Sequence, residues 1–460
     1  MAAADLNRDD MQGLLASGYG HLPAARFVLL SVTDAGAAGP WLERLAGELT
    51  TARGRTAGPT VNVALTAPGL LALGLPREAL DGFSAQFREG IVSEHRSRAL
   101  GDIGDGAPEY WAWGGPNGPA VHLALLLYAG DGTELDAIQR DLVGDASSGV
   151  SVTAELDTTP GDRDHFGFAD GISQPVIEGM RDGRPDDVVK AGEFVLGYPN
   201  QYGQLTGRPL LPARDDRDRI LPPDPEGSGG ADLGANGSYL VFRQLEQDVP
   251  AFWSFVEGAA DGDAIELASR MVGRWPDGAP LVLAPDHPPP ELGDLNAFRY
   301  HRLDPDGLRC PLGAHVRRAH PRDMLDPHPG TEHSIGIDKH HRLLRRGRRY
   351  GTEMSRDAAI NGGAEGSRGL HFLCLCGNIQ RQFEFIQHTW VNSPKFAGLR
   401  DDADPLLGPP GRTMTIQAEP VRKRVMDLPS FVKTVGGGYF FLPGVRATRY
   451  LGRLSERSAS

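Results

Sequence analysis

The 460-residue chain is short of cysteine, of lysine and of long apolar runs, and each shortage sets aside a class of protein. Its three cysteines, Cys310, Cys374 and Cys376, are too few and too odd in number for a disulfide framework. Cys374 and Cys376 lie two apart in a stretch that reads as a strand, so both face one side of a sheet. The pair lacks the further Cys or His of a zinc site and reads as buried thiols. No run of about 18 apolar residues occurs, so no membrane-spanning helix is expected. The N-terminal stretch Met-Ala-Ala-Ala-Asp-Leu-Asn-Arg-Asp-Asp has no basic region leading into an apolar core and no arginine pair. A secretory signal is therefore not expected, and a cytoplasmic location is. Positive charge is short as well: the net charge of −13 argues against nucleic acid or an anionic membrane surface as the main partner. Only five of the 47 basic residues are Lys, a bias given no functional weight.

What is present is a core and many turns. Hydrophobic residues make up 40%, enough for a sizeable interior, and the length suits two domains rather than one. The 60 Gly and 36 Pro predict long irregular connections. Ala25–Thr33 reads as a strand, and Trp41–Thr51 as an amphipathic helix with Leu42, Leu45 and Leu49 at helical spacing. Val61–Leu65 is a short strand followed by a helical turn around Leu70. Ala120–Tyr128 is a strongly apolar strand, Glu134–Val143 a helix and Val150–Leu156 a strand. This β-α-β-β-α-β order predicts a ferredoxin-like unit, an antiparallel sheet with helices on one face.

The second half repeats the theme without a close sequence repeat. Ser238–Gln244 reads as a strand, Val249–Val256 and Asp263–Val272 as helices, and Leu370–Cys376 as a strand. Ile379–Asn392 reads as a helix with Ile379, Phe383, Ile386 and Trp390 on one stripe, and Gly438–Pro443 as a late strand. Thr158–Pro223, Ala279–Pro311 and Pro321–Gly369 read as connection. The predicted class is α+β, two ferredoxin-like domains with antiparallel sheets, similar to a dimeric α+β barrel. Residues 1–160 and 236–460 are the two domains, and 161–235 is a connecting region. Loops this long in a compact protein are usually functional or disordered.

Three motifs lie in those loops. The first is Cys310-Pro-Leu-Gly-Ala-His315-Val-Arg-Arg-Ala-His320-Pro-Arg322, in which Pro311 and Gly313 prepare a turn and Ala314 and Val316 leave room for a large flat neighbour. The second is His165-Phe-Gly-Phe-Ala-Asp-Gly-Ile-Ser-Gln-Pro175. The third is His341-Arg-Leu-Leu-Arg345-Arg-Gly-Arg-Arg-Tyr-Gly351. Singly, each has a bland explanation: a packed histidine, an Asp-Gly turn, a solvated basic face. Together they offer an imidazole to hold iron, a carboxylate to move a proton and a guanidinium to steady negative charge.

At these residues, and over nearly its full length, the chain resembles the dye-decolorizing peroxidase family. The first motif is similar to the family's proximal-histidine pattern Cys-Pro-x-x-Ala-His-x-Arg-x-x-x-Pro-Arg. The resemblance implies one haem b per chain, held in the C-terminal half, with His315 as the iron's axial ligand. It implies Asp170 as the distal acid–base and Arg345 as the distal arginine, with Arg346 as the rival position. Gly171 and Arg346 are expected beside the cofactor. Asp404, before Pro405-Leu-Leu-Gly408, is implied as the acceptor behind the proximal imidazole, with Glu384 as competitor. His320, His333, His340 and His341 read as loop histidines. The family often has Pro where Arg349 stands, a departure at the entrance.

The implied activity is reduction of hydrogen peroxide through a ferryl intermediate, followed by one-electron oxidation of dyes or phenolic and aromatic donors. Trp253, Trp275, Trp390 and Tyr350 are candidates for passing electrons from bulky donors, against a plain packing role. A homo-oligomer is compatible with the sequence, and the polar tail Leu454–Ser460 neither shows nor excludes packaging in a compartment. A haem-binding or haem-transfer protein with little turnover is the alternative, although a carrier has no need of the Asp–Arg pair. A chlorite-decomposing haem enzyme needs the distal Arg but not the Asp.

Overall fold

A computed structural model describes residues 5–54, 56–291, 293–363 and 366–454. The N-terminal residues 1–4 and the polar tail beyond Leu454 lie outside the described residues. The first four long strands are β1 (Ala24–Val32), β2 (Thr60–Leu65), β3 (Leu123–Ala129) and β4 (Val150–Asp157). Helix Ala35–Glu48 follows β1 and helix Gly132–Val143 follows β3. Each starts on an aspartate cap: Asp34 accepts from the Gly36 N–H and Asp131 from the Glu134 N–H, satisfying donors that a helix start leaves free.

The second set is β5 (Ser238–Gln247), β6 (Leu344–Arg345), β7 (Arg348–Tyr350), β8 (Gly369–Cys376) and β9 (Val432–Leu442). Helices Val249–Ala259 and Ala264–Val272 follow β5, and a π-wound helix over Gln380–Val391 follows β8. All nine strands join one antiparallel sheet in the order β6-β8-β5-β9-β2-β3-β1-β4, with β7 also pairing with β8. Each half therefore has the ferredoxin-like order, and the halves meet where Phe441 of β9 pairs with Leu65 of β2.

The expected fold class is the one observed. Both faces of the inner strands are covered, while the edge strand β4 keeps Ser151, Val152 and Glu155 exposed. Val28, Leu30, Val63, Val241 and Tyr439 pack under the helices. On the other face, Phe27, Leu29, Leu126, Phe242 and Leu373 are covered by irregular chain from residues 6–22 and 177–198. Two-sided burial explains why β3 is apolar at every position rather than alternating. Cys374 and Cys376 sit on the helix-covered face and are buried free thiols, as is Cys310.

Pro321–Gly369 is not plain connection as expected. It carries helix Glu332–Lys339 and strands β6 and β7. The Arg-rich sequence hid these strands, because a charge run has neither the alternation nor the apolar content of an ordinary strand. The stripe on the helix after β8 is buried as expected, with Ile379, Phe383, Ile386 and Trp390 all inside. Its winding is wider than α, closed by bonds such as Glu384 N–H to Ile379 O at 3.0 Å.

Candidate active site

His315 opens a short helix, His315–Ala319. The turn before it closes through the Ala314 N–H to Pro311 O at 3.0 Å. Past Val316 come two arginines, Arg317 and Arg318, both buried completely, an arrangement that needs full pairing. Arg317 donates to Asp304 Oδ2 at 2.8 Å and to Cys310 O at 2.6 Å. Arg318 donates to Trp390 O at 2.8 Å and to Asp402 O at 3.1 Å. The two thus fasten the His315 helix to the preceding loop, the π-wound helix and the segment that carries Asp404. Gly273 makes room behind the helix: a Cβ there would stand 2.5 Å from Val316 Cγ2. Sequence alone gives neither arginine a role: Arg317 is the Arg of the proximal-histidine pattern and Arg318 stands at one of its variable positions.

Asp404 is the group behind the imidazole. Its Oδ2 lies 2.9 Å from His315 Nδ1, and its Oδ1 accepts the N–H groups of Leu406 and Leu407 at 2.9 Å each. Burial alone would raise the Asp404 pKa, but His315, Arg318 and the Leu407 N–H outweigh it and hold the carboxyl below its ordinary value. A carboxylate at Nδ1 makes that nitrogen the N–H donor and leaves Nε2 with the free lone pair. Burial likewise pushes His315 down, and Asp404 more than offsets it, so the imidazole is more basic than usual. Glu384, the competitor for this place, is occupied elsewhere with Arg96 at 2.6 Å and the Tyr439 hydroxyl at 2.9 Å.

Asp170 and Arg345 lie in the same cavity as His315. The turn that carries Asp170 is built by Asp164, whose Oδ1 accepts the Phe168 N–H at 2.9 Å and whose Oδ2 accepts from Gln247 at 3.3 Å. Asp170 Oδ1 then accepts both the Gly171 N–H at 2.6 Å and Arg345 Nη1 at 2.8 Å. Gly171 adopts φ +77°, a left-handed conformation that costs glycine little. Arg345 ends β6 at the sheet edge, and its outward N–H donates to Gln174 Oε1 at 3.0 Å. Asp170 and Arg345 are therefore joined twice, by side chains and through Gln174. Burial raises the Asp170 pKa, but Arg345 and the Gly171 N–H outweigh it and keep the carboxyl below its ordinary value.

The cavity has a volume of about 1570 Å³. Phe168, Val316, Leu370, Phe372, Ile386 and Leu406 supply apolar wall. Arg342 also lines it, is buried, and has no hydrogen-bond partner at either Nη atom. Its ion pair with Asp338 is long, Nη1 to Oδ2 at 3.9 Å, so its hydrogens are left without an acceptor, which is costly in a buried place unless an anion meets them. Apolar walls, a lone-pair nitrogen and a guanidinium with hydrogens left to donate suit an iron macrocycle that bears propionates.

Other expected positions fall elsewhere. Arg346 does not line the cavity; its guanidinium donates to Leu14 O at 2.7 Å and Leu15 O at 3.0 Å. Gly171 serves the Asp170 carboxylate and is not among the cavity-lining residues. Trp253, Trp275, Trp390 and Tyr350 are all buried, so none is a surface residue.

No protein-family model matches the chain. Curated relatives do. A dye-decolorizing peroxidase of Mycetinis scorodonius is 30% identical over 97% of this chain and 88% of its own length. Another, of Exidia glandulosa, is 28% identical over 97% of this chain and 87% of its own. The crystal structure of a decolorizing peroxidase from Auricularia auricula-judae superposes with a TM-score of 0.79 at 26% identity, covering 98% of this chain and all of that one. With a relative of that identity aligned almost end to end, the chain belongs to the dye-decolorizing peroxidase family.

Proposed function

We propose that this chain is a haem b peroxidase that reduces hydrogen peroxide at the cavity shared by His315, Asp170 and Arg345 and oxidises dyes or other aromatic donors. The observation that carries the reading is the meeting of those three side chains in one cavity, with Asp404 fixing the tautomer of His315. His315 Nε2 would hold the iron, and Arg342 would meet a propionate. When bound, haem supplies the redox chemistry of peroxide reduction and of one-electron oxidation of the donor.

The chain's own residues handle protons and charge. Both bonds to Asp170 fall on Oδ1, which leaves Oδ2 to take a proton from one peroxide oxygen and return it to the other. Arg345 keeps that carboxylate ionised and presents positive charge where negative charge grows as the O–O bond breaks. Asp404 holds the imidazole from behind, so its lone pair stays directed into the cavity. Carboxylate, guanidinium and imidazole divide the work as base, electrostatic support and anchor.

The test is peroxide-dependent bleaching of an anthraquinone dye by the haem-loaded protein, beside the same protein with His315→Ala. Bleaching with bound haem in the parent, and loss of haem or an altered haem spectrum in the variant, is the expected result. A parent protein that binds haem firmly but bleaches no dye and shows no absorption change with peroxide would overturn the reading in favour of a haem carrier.

A further inference from the structure

We infer that His320 is a positioning residue, which ties the segment carrying Asp170 to the helix carrying His315 through the Ser173 hydroxyl. The inference rests on the reading of Asp170 as the proton-transferring group.

His320 caps the C-terminal end of the His315 helix, its N–H donating to Val316 O at 3.1 Å. Its ring lines the cavity and is engaged at both nitrogens. Nε2 lies 3.1 Å from Asp338 Oδ2, and Nδ1 lies 3.0 Å from Ser173 Oγ. A carboxylate can only accept, so Nε2 must carry the hydrogen. That leaves Nδ1 as an acceptor when the ring is neutral, and the Ser173 hydroxyl as its donor. Burial, with Arg342 alongside, outweighs Asp338 and pushes the His320 pKa down to about 3, in keeping with a neutral ring. Asp338 is itself fixed, since its Oδ1 accepts the Arg322 N–H at 3.2 Å.

The far end of this chain of bonds is the distal loop. Ser173 is three residues beyond Asp170 and one before Gln174, which holds the Arg345 N–H. The loop has no ladder of its own here. Beyond the isolated bridge of Ala169 with Arg163, its position comes from a handful of contacts: Ala169 N–H to Pro276 O and Asp170 N–H to Asp162 O at 3.0 Å each, Asn296 to Ile172 O at 2.8 Å, Ser173 to His320, the Arg345 N–H to Gln174, and Arg345 to the Asp170 carboxylate. Of these, Ser173–His320 is the one that reaches the helix of His315. It therefore sets how the loop with Asp170 stands relative to the anchor on the opposite wall. A proton-transfer group displaced by a fraction of an ångström loses rate without losing binding.

The experiment uses haem-loaded protein with Ser173→Ala, His320→Leu and His320→Gln, each alone and with Asp170→Asn. Gln keeps a donor and an acceptor at the end of its side chain, so it can restore both bonds. Haem content and the resting spectrum are expected to be unchanged in Ser173→Ala. The peroxide-induced absorption change should slow roughly 10–100-fold in Ser173→Ala and His320→Leu. His320→Gln should recover most of it. In the Asp170→Asn background the same substitutions should cost nothing further. Hydrogen exchange in the haem-free protein should speed up at residues 169–174 in Ser173→Ala. Wild-type rates in Ser173→Ala, or losses that multiply with that of Asp170→Asn, would overturn the coupling while leaving Asp170 in its role. A wild-type rate in Asp170→Asn alone would instead remove the role of Asp170, and the coupling with it. If His320→Leu does not fold, Ser173→Ala decides the matter, since it removes the same bond without unpairing a buried charge.

Discussion

His315 Nδ1 and Asp404 Oδ2 stand 2.9 Å apart, 89 residues apart in the chain, with the carboxylate fully enclosed. Asp404→Ala removes the acceptor that orients the imidazole and leaves the Leu406 and Leu407 N–H groups without it. Losing such an outer partner typically costs about 10–100-fold in metal affinity. Titration of haem into the haem-free protein should show that loss for Asp404→Ala, whereas Glu384→Ala should leave haem affinity unchanged, as Glu384 sits with Arg96 and Tyr439.

Asp170 has to be ionised to accept a proton, and its pKa is held below the ordinary value of about 3.9 by Arg345 and the Gly171 N–H against the opposing effect of burial. The peroxide step should therefore stay flat with falling pH until below that value and only then decline. Asp170→Asn should abolish the limb together with most of the rate. Stopped-flow recording of the peroxide-induced absorption change is the measurement. Dye bleaching alone would mix in later steps. The same limb surviving in Asp170→Asn would assign it to another group.

Arg345 and Arg346 should part company. Removing a fixed cation from the site of developing charge costs about 2.7–4 kcal/mol, or roughly 100–1,000-fold in rate. That loss is expected for Arg345→Leu with haem retained. Arg346→Leu instead unpairs the carbonyls of Leu14 and Leu15, and hydrogen bonds from charged groups are worth about 1.5–3 kcal/mol each. Its effect should appear as a lower Tm, with the peroxide step unchanged per bound haem. A rate loss at Arg346 equal to that at Arg345 would contradict the placement.

Asp164 carries the opposite sign of shift from Asp170. Burial, helped by the neighbouring Asp170 charge and opposed by the Phe168 N–H, pushes its pKa up to about 6. The folded chain then holds this proton more tightly than the unfolded chain, so stability falls as pH rises from about 4 to about 6. Asp164→Asn keeps the acceptor for the Phe168 N–H but cannot ionise. Thermal melts of the haem-free protein should show Asp164→Asn gaining in Tm relative to wild type at pH 7 and gaining little or nothing at pH 4. Equal shifts at both pH values would mean that ionisation of Asp164 is not being felt.

Much of this was legible from residue order. Apolar spacing places β1 to β4 and the second helix within about three residues, because those elements bury wide, regular faces, but it starts the first helix at Trp41 instead of Ala35, since the Ala-Gly-rich first turns carry no apolar stripe. The three motifs read as a haem-peroxidase constellation because their unusual residues sit beside one another in sequence. What escaped notice depends on distant partners. Arg345 belongs to a strand, but Leu344–Tyr350 is dominated by arginines whose purpose shows only in space. Arg346 meets Leu14, and Arg348 meets the Tyr19 carbonyl at 2.7 Å, more than 300 residues away. Arg317 and Arg318 look like a solvated pair until the carbonyls that surround them are known. Arg342 is harder still, because the anion proposed to meet its free hydrogens is not a residue of the chain.

The Asp170–Arg345 contact joins residues 175 positions apart, one on a loop between the halves and one on the edge strand β6 of the sheet. Closing a loop of that length brings no reward until both ends are in place. The walls of the cavity are therefore expected to come together late in folding, so the ordinary route for haem is entry into a chain already closed rather than nucleation of the fold around it. Refolding followed by tryptophan fluorescence should then proceed at the same rate with and without haem, with haem uptake as a separate, later phase.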